Sequence, residues 1–432
     1  MRLVFLDHGE AYGNLGDEAM LQSALRRLAK HLGPVRFVVP RQERRPLPSL
    51  AGFDIQEVPS PYTTFARLLD DPQPPWWARA VVDVMRRRGM ERELAIAELL
   101  ARSGRLAAID GDFGAFQSAL RRCDLFYGVG AADFNDFFPR GVVYKAWLYR
   151  MARRFIPVVA VAAQGFGPLD NPELRPLMRQ AFSAVDLLSF RDQRFSAAFT
   201  QTLGPLPCRT AIVGDEAFSF PAADAGRRDA AISSSGLGPS DLFVAVHWRA
   251  TDYTQETHRF IPDLAHACDL IAQHAGAKLL FVPMSYDVHS GHDIELVDAL
   301  RSKMRRPDQL VALPVQHDVA VIKAVIGRAL FTAGLSYHVH VFGLAQGRPA
   351  LILYTGEYYR YKSEGLIGFY GPPSAAIDLA RTTPTGLENA IAAISVGADA
   401  ARPSIEDANT RLRAVNDWTI EMAARRLAEV GR

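Results

Sequence analysis

Short apolar runs alternating with longer stretches of helical spacing constrain this chain more than any other feature, because that alternation is what a parallel sheet covered by helices writes into a sequence. Strands are expected at residues 2–6, 35–39, 124–129, 156–162, 186–190 and 209–213. Residues 221–241, rich in Ala, Gly, Ser and Asp and poor in apolar periodicity, then interrupt the pattern as an exposed connection does. It resumes with strands at 242–248, 278–283, 309–313, 328–332 and 350–354. At 432 residues the chain exceeds what one core usually serves. The expected fold is therefore α/β, with two Rossmann-like lobes facing each other across a cleft.

The lobes divide the chain into an N-terminal Rossmann-like domain at 1–220, a linker at 221–241, a C-terminal Rossmann-like domain at 242–380, and C-terminal helices at 381–432 that pack on the lobes. Between the second and third strands lies an irregular insertion at about 59–120, with the Pro-rich stretch Asp71-Pro72-Gln73-Pro74-Pro75-Trp76-Trp77 and a charge-mixed helical segment near 79–106. In 404–430, Ile405, Ala408, Leu412, Val415, Met422 and Leu427 fall at helical spacing.

Composition narrows the function. Lys plus Arg number 49 and Asp plus Glu 47, a formal charge of +2, so no dominant field favours nucleic acid. Cys123, Cys208 and Cys268 stand apart, without the spacing of a disulfide framework or a metal site, which suits a reducing cytoplasm. No apolar stretch approaches the roughly 20 residues of a membrane span, and the first residues read as a strand instead of a cleavable leader. A soluble, cytoplasmic protein is expected, able to work beside the inner face of a membrane.

The stretch HGEAYGNLGDEAMLQSALRRL, residues 8–28, follows the first strand. Ala19, Leu21, Ala24, Leu25, Leu28 and Leu32 form an apolar stripe, Gly33-Pro34 ends the helix, and Gly13 and Gly16 permit the turn that begins it. Two readings of its acidic start are open. Asp17 and Glu18 complement the helix dipole and cap the first turn; or Asn14 and Asp17 face a ligand at the carboxyl end of a parallel strand. A carboxylate there repels phosphate and accepts from, or deprotonates, an alcohol, which points to a sugar. The loop lacks the Walker lysine and the dinucleotide glycine pattern.

In GLSYHVHVFGLAQGRP, residues 334–349, Ser336 is a plausible N-cap for a helix from Tyr337 to Gln346, ended by Gly347 and Pro349. His338 falls in the first turn, where free N–H groups make an anion site, or else is a half-buried hydrogen-bonding residue. His340 faces away and reads as structural. Next, YTGEYYRYKSEGLIGFYG, 354–371, gathers Glu357, Tyr358, Tyr359, Arg360 and Lys362, either for a small anion or as a surface loop whose stems cover apolar neighbours. Arg191, in LSFRDQRFS, and Arg249, in VAVHWRATDY, each follow a strand and suit carboxylate or phosphate, with an interlobe ion pair as the plain alternative.

Taken in order, these segments resemble the polysaccharide pyruvyl transferase family. GNLGDEAM looks like its GNxGDEA signature, GVGAADF (128–134) stands at its glycine-rich turn, and AAQGFGPL (162–169) resembles its GQGxGP segment. LSFRD, VGDEAF (213–218), FVPMSYD (281–287) and HVHVFGLAQGRP with YKSEGL follow in the family's order, so the likeness spans most of residues 1–371. It implies a GT-B-like fold, phosphoenolpyruvate as donor, a sugar acceptor, a pyruvyl ketal as product and release of phosphate. One departure stands out. The family's Ser-Arg-Leu-His is Leu335-Ser336-Tyr337-His338 here, and the aspartate two residues before its lysine is Arg360, as though a cation lost from one loop returned in the next.

On that resemblance His338 and Asp17 are the expected catalytic acid and base. Arg191, Arg249, Ser336, Tyr337, Arg360 and Lys362 line the donor side in the C-terminal domain or face it, and Asn14, Gly16 and Asp133 handle the acceptor on the N-terminal side. No cofactor and no metal is called for, so EDTA insensitivity is expected. Two other readings share the fold: a glycosyltransferase using a nucleotide sugar, and a non-catalytic protein that closes on a sugar or phosphorylated metabolite.

Overall fold

The computed structural model describes the chain except for residues 9–12, 42–49, 51, 63–64, 66–88, 110–111, 239, 250–259, 287–292 and 432. It resolves into two units, one made of 1–10, 24–213 and 416–432, the other of 11–23 and 214–415. The Pro-rich stretch at 71–77 lies outside the described residues.

In the first unit the described strands are β1 (Arg2–Asp7), β2 (Val35–Arg41), β3 (Ile55–Pro59), β4 (Leu125–Gly128), β5 (Val158–Gln164), β6 (Leu187–Phe190) and β7 (Arg209–Ile212). They form one parallel sheet in the order β3-β2-β1-β4-β5-β6-β7. The strand order reverses between β1 and β4, which register Asp7 against Gly128 at their carboxyl ends. In open α/β sheets that reversal opens the crevice where ligands bind.

The second unit repeats the plan. Strands β8 (Phe243–His247), β9 (Lys278–Phe281), β10 (Leu310–Ala312), β11 (Thr332–Gly334), β12 (Ala350–Tyr354) and β13 (Ala375–Asp378) run parallel in the order β10-β9-β8-β11-β12-β13. Here the reversal falls between β8 and β11, which register His247 against Gly334. Central strands of both sheets, such as β5 and β8, are buried along their whole length, so they read as continuous apolar runs without alternation.

Helices flanking the sheets include α1 (Leu15–Leu32), α2 (Met90–Arg102), α3 (Pro139–Phe155), α4 (Ala225–Ser234), α5 (Val319–Arg328), α6 (Tyr337–Leu344), α7 (Gly356–Ile367), α8 (Arg402–Asn416) and α9 (Trp418–Glu429). Several differ from the sequence reading. The stretch 221–241 contains α4, started by Asp224, whose side chain accepts from Arg227 N, and anchored by buried Ala231 and Ile232. The strand expected at 328–332 lies at 332–334, although Leu330 N already donates to Phe243 O and Phe331 O accepts from Ala245 N. The helical spacing at 404–430 runs through two helices, not one, and Val415, counted in its stripe, is exposed. Asp417, between them, takes both Arg27 and His31 of α1 within the first unit. Segment 354–371 is largely the helix α7, not a loop.

Candidate functional site

Polar side chains gather at the switch point of each sheet. In the first unit β1 delivers Asp7 to its carboxyl end, and α3 places Lys145 opposite, with Nζ 2.7 Å from Asp7 Oδ2 and 3.1 Å from Asp133 Oδ2. Burial alone would lower the ammonium; Asp133 and Asp7 outweigh it and hold Lys145 well above the ordinary lysine range. The same burial, with Lys145 beside it, pushes the neighbouring His8 imidazole down to about 4, so it is neutral near pH 7.

The loop carrying Asp133 is fixed by its own sequence. Asn135 is fully buried; its Nδ2 donates to Ala132 O at 2.7 Å, and its Oδ1 accepts from Phe137 N and Phe138 N. Asp136 in turn accepts from the backbone of Asp170 and Asn171. Around these groups opens a pocket of about 440 Å³, with Tyr62, Tyr144, Phe137 and Phe138 among its walls. Arg191, also in this unit, is buried beside Gly165, and its N–H donates to Gln164 O.

In the second unit the acidic turn and the histidine helix meet. Gly16 and His338 touch so closely that a Cβ built on Gly16 would lie 1.9 Å from His338 Nδ1. His338 Nε2 lies 4.0 Å from Asp215 Oδ1, and Asp215 caps the turn at Glu216–Ser219 by accepting from Ala217 N at 2.8 Å. That turn is held in place by Lys323 of α5, buried, whose Nζ donates to Phe218 O at 2.7 Å and to Ala217 O at 3.3 Å. Burial draws the Lys323 ammonium down to about 7, against the pull of Asp215.

The acidic turn is itself clasped. Leu15 N donates to Met284 O, Tyr286 N donates to Gly13 O, and Asn14 bridges Ser285. The 284–286 loop is fixed by Asp293, whose Oδ2 accepts from Ser285 N at 2.7 Å, Met284 N at 3.0 Å and His247 Nε2 at 2.8 Å. Burial would raise the Asp293 carboxyl, but His247, Arg249 and the Ser285 N–H together hold it below the usual range. Gly334 sits against the last carbonyl of β8, with room for no Cβ: one would fall 1.9 Å from His247 O.

The residues singled out by the sequence fare differently. Asn14 caps α1, its Oδ1 accepting from Gly16 N at 3.0 Å. Asp17 is half-buried, whereas Glu18, expected only as part of the cap, is buried and receives hydrogen bonds from Tyr286 Oη and Gly13 N. Burial pushes the Glu18 carboxyl up against the pull of those bonds. Ser336 precedes α6 without a side-chain capping bond, and Tyr337 is buried with its ring edge-on to His338. His340 is structural: Nε2 donates to Gly334 O and Nδ1 accepts from Thr332 Oγ1, both at 2.9 Å. Arg360 is half-exposed and held by both oxygens of Glu357, three residues earlier on α7. Lys362 lies over the Tyr358 ring at 4.2 Å. Arg249 follows β8 at the second switch point. Sequence reasoning misses Lys145, Asp7, Asp215 and Asp293 and gives Glu18 too small a part. Their signal is positional, each lying at or just beyond a strand end or facing one.

Two Rossmann-like units, each with an acid-base cluster at its switch point, define an α/β protein of the GT-B class. Solved structures show the same fold: HepE of Anabaena in complex with UDP (13% identity, TM-score 0.54, covering 100% of this chain and 99% of that one), and UDP-GlcNAc 2-epimerase of Neisseria meningitidis bound to UDP-GlcNAc (9%, 0.56, 100% and 99%). A glycosyltransferase of Rickettsia africae matches similarly (10%, 0.51, 99% and 97%). No curated protein matches by sequence. The sequence nevertheless matches the polysaccharide pyruvyl transferase description over residues 14–357, and the chain belongs to that family. It is a transferase of polysaccharide biosynthesis. Among the described residues no helix is long and apolar enough to cross a membrane, and no group of three or more His, Cys, Asp or Glu is arranged to hold a metal ion.

Proposed function

We propose that this protein transfers a pyruvyl group from phosphoenolpyruvate to two hydroxyls of a sugar in cell-surface polysaccharide or glycolipid synthesis, forming a ketal and releasing phosphate. The observation that carries this reading is the His338 imidazole seated on Gly16 of the acidic turn, with Asp215 behind it. The reaction needs an acid at the donor's methylene carbon, a base for the attacking hydroxyl, and cations for carboxylate and phosphate. His338 supplies the acid, oriented by Asp215. Its proton makes the methyl group, and the first hydroxyl attacks the adjoining carbon, losing its proton to Asp17 or a neighbouring base. The second hydroxyl displaces phosphate, which leaves with that hydroxyl's proton.

Arg249, Arg360 and Lys362 are assigned to the donor's anionic groups, with Ser336 and Tyr337 beside His338. Arg191 is assigned to donor binding, and Asp133, Asn14 and Gly16 to the acceptor. Donor binding by Arg360 requires it to release Glu357, so Arg360→Ala reads the compensation for Ser336 directly. Unchanged affinity for phosphoenolpyruvate in that variant rejects it.

The deciding experiment is phosphate release from phosphoenolpyruvate across lipid-linked and nucleotide-linked sugars, with thermal shift against phosphoenolpyruvate, UDP and GDP. Sugar-dependent phosphate release, insensitive to EDTA and reduced at least about 100-fold in His338→Ala, is expected. Stabilisation by UDP or GDP without phosphate release would replace this reading with glycosyl transfer from a nucleotide sugar. Stabilisation by a sugar with neither reaction would make the protein a binding module.

A further inference from the structure

The pocket of the first unit has a chemistry of its own. Its floor holds two carboxylates, Asp7 and Asp133, and one ammonium, Lys145, which lies within hydrogen-bond distance of both. Burial raises the Asp7 carboxyl, and with Asp133 opposite Lys145 the three together carry no net positive charge. Arg140, the other cationic side chain lining the pocket, is exposed to solvent at the rim, where water screens it. Such a floor offers phosphate or carboxylate no net cationic partner, while its carboxylate oxygens can accept from the hydroxyls of an uncharged ligand. Asp133 is the more accessible of the two acids, with 28% of its side chain exposed against 4% for Asp7, so it meets the ligand while Asp7 fixes Lys145.

The walls agree with the floor. Tyr144 is buried and packs edge to face with Tyr62, ring centroids 5.1 Å apart, and Tyr62, Phe137 and Phe138 are exposed. Exposed aromatic rings beside an accessible carboxylate offer apolar faces for C–H surfaces and acceptors for hydroxyls, the two needs of a carbohydrate. The volume of about 440 Å³ lies within the range of pockets that enclose a small ligand, and the position at the β1/β4 switch point is where such sheets bind one.

We infer that this pocket is the seat of an uncharged glycosyl unit, with Asp133 accepting from its hydroxyls and Phe138 covering its apolar face, and that it excludes the anionic donor. The inference rests on the sugar-acceptor reading above and names the residues that select the acceptor. It is tested by saturation-transfer NMR and titration with methyl glucoside, galactoside and mannoside and the matching methyl hexuronides, without donor present. At least one neutral hexoside binds and its uronide binds tenfold or more weakly. Asp133→Asn weakens the hexoside tenfold or more and narrows the gap to the uronide. Phe138→Ala, at an exposed position, weakens it several-fold with an unchanged melting temperature, so the test still decides if Asp133→Asn folds poorly.

Equal or tighter binding of the uronide, hexoside affinity untouched by both variants, or no neutral hexoside binding well above the millimolar range overturns the proposal. Thermal shift with phosphoenolpyruvate on the same samples separates the two ideas. Hexoside binding without any response to phosphoenolpyruvate counts against pyruvyl transfer alone; the opposite pattern counts against this pocket alone.

Discussion

Replacing Gly16 by alanine pits two effects of known size against each other. Alanine in place of glycine inside a helix ordinarily stabilises by about 0.5 to 1 kcal/mol, because the unfolded chain has less backbone freedom to lose. Here the new methyl group lands 1.9 Å from His338 Nδ1 and 2.3 Å from Cγ, short of the 3.4 Å where ordinary contact begins by about 1.5 Å for the nearer atom. Cγ is one bond from the His338 Cβ, so a shift at the tip of the ring does not relieve the overlap. The side chain must turn about its first torsion, at about 0.5 to 1.5 kcal/mol if it leaves a rotamer well.

The helix gain and the rotamer cost nearly cancel. Gly16→Ala therefore stays within about 1 kcal/mol of the wild-type stability, while the imidazole is driven out of its place beside Asp215. If His338 is the acid, turnover falls by roughly 10² to 10⁴. Urea denaturation gives the first quantity, phosphate release the second, and the histidine ring signals in NMR report whether the imidazole has moved. A folded Gly16→Ala protein with full turnover refutes the assignment of His338. A loss of several kcal/mol refutes the claim that a side chain, and not the helix start, gives way.

Three further outcomes are expected. Asp293→Leu leaves the N–H groups of Met284 and Ser285 and Nε2 of His247 without their acceptor and should cost roughly 3 to 5 kcal/mol, measured by urea denaturation; a loss below about 1 kcal/mol would show that the loop does not depend on it. The imidazoles of His8 and His340 lie at about 4 in the folded protein against 6.5 unfolded, so the unfolded chain takes up their protons first as pH falls. Stability should drop between pH 6.5 and 4 by up to roughly 3 kcal/mol for each, and His340→Gln should flatten that slope; an unaltered slope excludes His340 as a source. Lys323, at about 7 against 10.5 unfolded, has the same sign at higher pH: stability gains up to on the order of 5 kcal/mol between pH 7 and 10.5, a gain that Lys323→Met should remove. Equal slopes in the two proteins would mean Lys323 stays charged.

The regularity of the two sheets is legible in the sequence because their central strands are buried on both faces and so read as unbroken apolar runs. What escapes lies where that condition fails. β3, IQEVP, and β13, AAID, are edge strands of half-buried residues, too mixed in polarity to stand out from turns. α4 is hidden for a related reason: only Ala231 and Ile232 of its ten residues are buried, so it carries almost no apolar stripe, and its start depends on the single cap Asp224. Lys145 is invisible because α3 is helical in pattern from end to end, and nothing in a helix pattern says that one of its basic residues points at two carboxylates from distant strand ends.

Glycine shows most clearly why a site resists being read from its residues alone. Spacing gives Gly13 and Gly16 the same explanation, a turn that needs backbone freedom. Gly13 fits it, with φ at 100°. Gly16 does not: it lies inside α1, has no positive φ, and has no room for a side chain while His338 occupies that space. Gly334 combines both causes, with φ at 127° and a backbone carbonyl where its Cβ would be. The first cause is local and is written in the neighbouring residues. The second belongs to a partner distant in the chain, 322 positions on for Gly16 and 87 back for Gly334, and it ties the acidic turn, the histidine helix and the end of β8 into one arrangement in which a single methyl group decides whether the imidazole can stand beside Asp215.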